Sequence, residues 1–192
     1  MNFIEVYDNV LSKEDCESLI RHFENVDPCR KQMNAVNKAK KIGTTLMCDW
    51  EDDLFDDFHN IIRDPLEAAV QRYKKKHTSI DKICPWNQER GYNVQRFDDG
   101  GGYFTLHCEQ DGPMVSRRML VWMIYLNDAK SGTEFPNQRK TTQAKTGRIV
   151  IWPAAWTHMH KGVIPNKGIK YMATGWCEFT TRKHEKQSVY WY

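Results

Sequence analysis

Gly147-Arg148-Ile149-Val150-Ile151-Trp152-Pro153-Ala154-Ala155-Trp156-Thr157-His158-Met159-His160-Lys161-Gly162 is a β-branched, aromatic run that opens and closes on glycine and carries two histidines near its end. Residues of this kind between turn formers read as a strand. Upstream, a second short run, Tyr103 to Leu106, leads directly into His107-Cys108-Glu109. In extended chain, positions i and i+2 share a face, so the His107 imidazole and the Glu109 carboxylate converge while Cys108 points away. A lone His-x-Glu pair is a weak signal, and the distant histidines are what give it weight. His158 and His160 would share a face on a regular strand, so periodicity alone leaves either as the third donor.

Working outward, further β-like runs cover Tyr92 to Phe97, Met119 to Leu126 and Ile169 to Phe179. Gly100-Gly101-Gly102, Lys130-Ser131-Gly132 and Pro165-Asn166-Lys167-Gly168 punctuate them as turns. The N-terminal part reads differently. Ser12-x-x-Asp15 resembles a capping box, and Cys16, Leu19, Ile20 and Phe23 follow at helical spacing up to about Asp27-Pro28. A second helical face runs from Asp53 to about Lys76, interrupted or kinked at Pro65, with Lys74-Lys75-Lys76 suiting the negative end of the helix dipole. Between the helices, Cys29 to Gly43 is basic and without apolar period, which predicts a mobile surface loop. Helices first and many strands later predict an α+β protein with a β-sandwich or barrel at its functional core.

The 192 residues suffice for one well-buried core and are short for two, so a single domain is expected over 1–192, helical over about 1–80 and strand-rich over about 85–180. Lys plus Arg number 28 against 25 Asp plus Glu, which gives no general electrostatic case for nucleic acid or an anionic membrane surface. No apolar stretch is long enough to span a bilayer and the N-terminus lacks a signal-peptide pattern, so a cytoplasmic location is expected. The six cysteines form no Cys-x-x-Cys pair, as expected of free thiols in a reducing compartment. His22, His59, His77 and His184 have no convergent carboxylate in the sequence and are read as ordinary surface or helix residues.

In the order in which they occur, His107-Cys108-Glu109, Tyr125-Leu126-Asn127-Asp128, Gly132-Thr133-Glu134-Phe135-Pro136, His160, Lys170 ten residues later, and Trp176 resemble the 2-oxoglutarate/Fe(II) dioxygenases, in particular their prolyl 4-hydroxylase-like branch. Val6 through Cys16 is similar to that family's customary opening, and the resemblance is densest from Tyr92 to Trp176. It implies a double-stranded β-helix, or jelly-roll, with the N-terminal helices packed on one sheet. It implies Fe(II) held by His107, Glu109 and His160, with Lys170 selecting His160 over His158. It implies 2-oxoglutarate bound by Lys170 and Thr133, O₂ as oxidant and ascorbate as a reductant. Tyr103, Arg118 and Trp176 fall at positions that the family uses beside a peptide, implying a proline-containing peptide or protein substrate. A facial triad of two histidines and one carboxylate suits non-haem iron because it leaves octahedral positions for a chelating co-substrate and for O₂.

The sequence also departs from the pattern. Glu109 stands where Asp is commoner, Phe97 stands where a Tyr often contacts 2-oxoglutarate, and one extra residue separates Tyr103 from His107. These departures bear on co-substrate geometry and substrate choice. An oxygenase of the same fold acting on a nucleobase, a free amino acid or a small metabolite would use the same iron residues. A catalytically silent jelly-roll binding module is the alternative from another class; it would have no use for His107, Glu109, His160 and Lys170 together.

Overall fold

The computed structural model describes residues 2–33, 41–164 and 167–180. Twelve strands and two helices follow in the order β1 (Glu5–Tyr7), α1 (Lys13–Asn25), β2 (Lys31–Met33), β3 (Lys41–Ile42), β4 (Thr44–Asp49), α2 (Asp56–Lys76), β5 (Trp86–Phe97), β6 (Gly102–Tyr103), β7 (Arg118–Tyr125), β8 (Gly132–Phe135), β9 (Lys140–Gln143), β10 (Arg148–Pro153), β11 (Lys161–Val163) and β12 (Lys170–Phe179). The major sheet is antiparallel in the order β1-β10-β7-β12-β5-β4-β2, and the minor sheet is β11-β8-β9. Strand β6 pairs with β3, and a single antiparallel bridge joins His107 to His160. The result is the α+β double-stranded β-helix.

Both faces of the major sheet are buried, and the alternation of side chains decides what each face does. On β7, Leu120, Trp122 and Ile124 join the core beneath the helices, while Val121, Met123 and Tyr125 face the space between the sheets. On β10 the same split separates Ile149 and Ile151 from Val150 and Trp152. A strand covered on both sides reads as a continuous apolar run, which is why these two were legible. The helices cover one face. Ser12 caps α1, its hydroxyl accepting from the Asp15 N–H at 3.0 Å while Asp15 accepts from the Ser12 N–H, and Cys16, Leu19 and Phe23 are buried.

Several local expectations are corrected. Helix α2 runs unbroken through Pro65, after a 3-10 turn at Asp53–Phe55. Pro65 forfeits one N–H, but Ile62, Leu66, Ala69 and Val70 are buried around it, and packing of this apolar face outweighs one lost bond. The N-terminal part is not helical throughout, since β1, β2, β3 and β4 lie within it and β4 pairs along β5 from Thr44↔Arg96 to Asp49↔Gly91. The expected loop from Cys29 to Gly43 contains β2 and β3; such strands are too short to show a period, and their partners in β4 and β6 define them. Lys38, Lys40, Pro165, Asn166 and His184 lie outside the described residues.

Of the histidines expected to be surface or helix residues, His59 lies in α2 and His77 caps its end, and both are buried. His59 bonds the Tyr92 hydroxyl at 3.0 Å and the Asp49 carbonyl at 2.9 Å, tying α2 to β4 and β5. His77 meets Glu5 at 3.0 Å. Among the described residues, no helix is long and apolar enough to cross a membrane.

Candidate active site

The expected strand Tyr103–Leu106 ends at Tyr103; the chain turns and pairs again only at the isolated bridge of His107, whose N–H donates to the His160 carbonyl at 3.0 Å while the His160 N–H returns a bond of 2.8 Å. That bridge sets the two imidazole rings 4.3 Å apart, centre to centre. Glu109 Oε1 lies 3.3 Å from Nε2 of each ring. Cys108 is buried elsewhere and takes no part in the cluster.

Hydrogen bonding sets which nitrogen of each ring is open to the cluster. Nδ1 of His107 lies 2.8 Å from the Thr105 carbonyl, and Nδ1 of His160 lies 3.0 Å from the His158 carbonyl. A carbonyl only accepts, so each Nδ1 carries the proton and each Nε2 presents a lone pair. Glu109 is held in the same way, Trp176 Nε1 donating to Oε2 at 2.9 Å and leaving Oε1 for the cluster. Burial by itself favours the acid form of Glu109, so its carboxylate depends on positive charge at the cluster, from the imidazoles when protonated or from a bound cation. Three ligand atoms lie within 4.8 Å of one another, close enough to hold one cation, and the nitrogen–oxygen mixture suits Fe(II).

Aromatic rings enclose the site. His160 packs against Trp152 and Phe135 at 5.1 and 5.6 Å, and Tyr103 stands edge-on to His107 at 3.8 Å. His158, the competing candidate, belongs to a 3-10 turn, Trp156–His158. Its Nε2 meets the Asn2 carbonyl at 2.9 Å and the ring takes no part in the cluster, because the turn breaks the alternation that would have put both histidines on one face.

The same cavity is lined by Lys170 and Thr133. Lys170 is 2% exposed, with its ammonium 5.0 Å from the Phe97 ring centre, and burial pushes it down to about 8. Its position follows from register: Lys170, Met172, Thr174 and Trp176 alternate along β12 into the cavity, while Tyr171, Ala173 and Cys177 face the helices. The Thr133 hydroxyl shares a bond of 2.9 Å with the Tyr125 phenol. Arg118 is not in the cavity wall; it pairs with Glu89 at 2.8 and 3.1 Å and stacks 3.7 Å from the centre of the Trp176 ring. Two of its donor nitrogens are therefore already engaged.

Sequence reading missed Lys41, Asn93 and Gln95, which also line the cavity. For Asn93 and Gln95 a signal existed: they alternate with Tyr92 and Val94 on β5 and make one polar face ending at Phe97. Lys41 was legible only as part of a basic stretch read as a solvated loop, since a two-residue strand carries no period.

Residues 92–178 match the model of the 2OG-Fe(II) oxygenase superfamily. No curated protein matches the chain in sequence. Among solved structures, a viral collagen prolyl hydroxylase from Paramecium Bursaria Chlorella virus-1, in complex with 2OG, is similar with a TM-score of 0.64 at 17% identity, covering 93% of this chain and 97% of that one. A prolyl hydroxylase from Trichoplax adhaerens, in complex with a peptide fragment of the hypoxia inducible factor oxygen degradation domain, gives 0.69 at 13%, covering 93% and 84%. SnoK, a non-heme alpha ketoglutarate dependent carbocyclase from nogalamycin biosynthesis, gives 0.69 at 8%, covering 93% and 80%. The family match spans His107, Glu109, His160 and Lys170, and over residues 92–178 the chain is similar to the 2OG-Fe(II) oxygenase superfamily.

Proposed function

We propose that this protein is an Fe(II)- and 2-oxoglutarate-dependent dioxygenase that hydroxylates prolyl residues in peptides or proteins, with ascorbate as an accessory reductant. The observation that carries the oxygenase reading is the convergence of His107 Nε2, Glu109 Oε1 and His160 Nε2 in the same cavity as the buried Lys170. These three residues would hold the iron, their orientation fixed by the carbonyls of Thr105 and His158 and by the Trp176 N–H. Bound Fe(II) with 2-oxoglutarate and O₂ supplies the oxidation, in which the co-substrate becomes succinate and CO₂ and the substrate gains a hydroxyl.

The chain's own residues do the positioning. Lys170 would take the distal carboxylate of 2-oxoglutarate, a compact charge in a dry setting, with the Thr133 hydroxyl beside it. Phe135 and Trp152 shield His160 from water, and exclusion of water strengthens the electrostatic contacts inside. Tyr103 and Trp176 would form aromatic walls for a donor-poor ring such as proline's. Arg118 would act through Trp176, holding the indole from its outer face, with one nitrogen 3.7 Å from Glu109 left to reach a peptide carbonyl. An extended, proline-rich segment keeps a polyproline II shape, which lowers the entropy lost on docking.

Fold likeness does not choose the substrate, since a prolyl hydroxylase and a carbocyclase reach the same TM-score. The test compares proline-rich peptides, single-stranded oligonucleotides and free amino acids, measuring succinate together with gain of one oxygen in the product by mass spectrometry. Coupled turnover with proline peptides is expected. Coupled turnover with only the other two classes would remove the prolyl assignment.

A further inference from the structure

The cavity holds a second ammonium group that the proposed reaction leaves without a task. Lys41, on β3, is paired through its backbone with Tyr103, and Tyr103 packs on His107. Its Nζ donates to the Thr45 hydroxyl at 3.2 Å and lies 5.8 and 5.9 Å from the ring centres of Phe97 and Tyr103. Gly43 seats this segment tightly: a Cβ there would meet Phe97 Cδ1 at 2.6 Å and the Arg96 carbonyl at 2.9 Å, so the link from β3 to β4 can pass over the end of β5 only with glycine at this position. Lys41 is thus built into the cavity wall.

Two comparisons decide what it is for. Lys170 lies on β12 in the major sheet, whereas Lys41 lies on β3, bonded through its backbone to the Tyr103 that packs on His107, so the two ammonium groups enter the cavity from different walls. Charge gives the second. Iron brings two positive charges and Lys170 one, against one negative charge from Glu109 and two from 2-oxoglutarate. That set is neutral without Lys41, so Lys41, half-buried in the cavity wall and with no ion-pair partner among the described residues, is the cation left for an anion that a substrate brings. Burial pushes Lys41 down to about 8, which leaves it charged at neutral pH.

We propose that Lys41 is a substrate-binding residue that takes a carboxylate carried by the substrate, so that the preferred peptide has an acidic side chain beside the residue to be hydroxylated. This rests on the oxygenase reading and deepens it.

The experiment uses fluorescently labelled, extended proline peptides with Glu, Gln or Lys beside the central proline, titrated by anisotropy onto protein loaded with Mn(II) and 2-oxoglutarate. The wild type should prefer the Glu peptide by about tenfold or more over the Gln peptide. Lys41→Met should abolish that preference and Lys41→Arg should keep most of it. Calorimetric titration of 2-oxoglutarate onto the Mn(II)-loaded Lys41→Met variant should match the wild type, which also shows that the variant is folded. Equal binding of Glu and Gln peptides by the wild type would overturn the proposal, as would a weakened 2-oxoglutarate titration in Lys41→Met with Lys41→Arg restoring it. The same peptides, turned over with Fe(II), are analysed for oxygen gain at proline. A Lys41-dependent acidic preference without that gain leaves the Lys41 assignment standing and removes the prolyl one.

Discussion

The two ends of the cavity are built on opposite principles. At the triad, every donor atom has a partner behind it: both Nδ1 atoms face carbonyls and Glu109 Oε2 accepts from Trp176, so the remaining lone pairs are aimed before any metal arrives. At the lysine end, Lys170 has an aromatic face but no ion-pair partner among the described residues. One end is satisfied by protein and completed by a cation; the other is left short of an anion. The difference teaches that preorganisation and unfavourable burial are two routes to selectivity. The first selects by geometry, and the second by making an unliganded charge costly.

The largest effect expected from this contrast is at the triad. His107→Ala or His160→Ala removes one of three protein donors and should abolish Fe(II)-dependent turnover and metal retention, measured by metal analysis after dialysis. His158→Ala should retain most of both, because its ring is spent on Asn2. Loss of metal in His158→Ala, with retention in His160→Ala, would reverse the assignment.

At the other end, Lys170→Met should weaken 2-oxoglutarate binding on the order of a hundredfold or more, as loss of about 3–5 kcal/mol from a buried charged pair implies, while leaving metal affinity nearly intact. The unliganded variant should also be more stable than the wild type at pH 7. The sign follows from linkage: burial lowers the Lys170 ammonium to about 8 from 10.5, so the unfolded chain binds more protons between these values and the wild type gains stability as pH rises through them. Lys41 shifts in the same direction, so the difference in melting temperature between wild type and Lys170→Met isolates Lys170. Wild-type 2-oxoglutarate affinity should fall over the same pH range, and an affinity flat across pH 8 would place Lys170 away from the co-substrate.

The smallest effect tests the satisfied end from behind. Trp176→Phe keeps the ring that stacks on Arg118 but deletes the N–H that holds Glu109. Metal affinity should drop about ten- to a hundredfold, as for other groups that orient a ligand. If affinity is unchanged and only peptide binding weakens, Trp176 serves as a substrate wall and its bond to Glu109 is incidental.

What the sequence determined by itself was whatever its period or its order of motifs recorded. The runs at β7 and β10 were legible because strands buried on both faces are apolar at every position, and α1 because its cap and spacing are local. The cluster His107, Glu109, His160 and the basic Lys170 were legible as ordered residue types. Tertiary structure decided the rest. It separated His158 from His160 by a 3-10 turn, drew β2, β3 and β4 into sheets through partners distant in the chain, and brought Lys41 into a cavity with residues more than fifty positions away. Periodicity reports which face of an element is apolar; it carries no record of which other element that face will meet, because pairing across the chain is settled by packing and hydrogen bonding between segments that no local window contains.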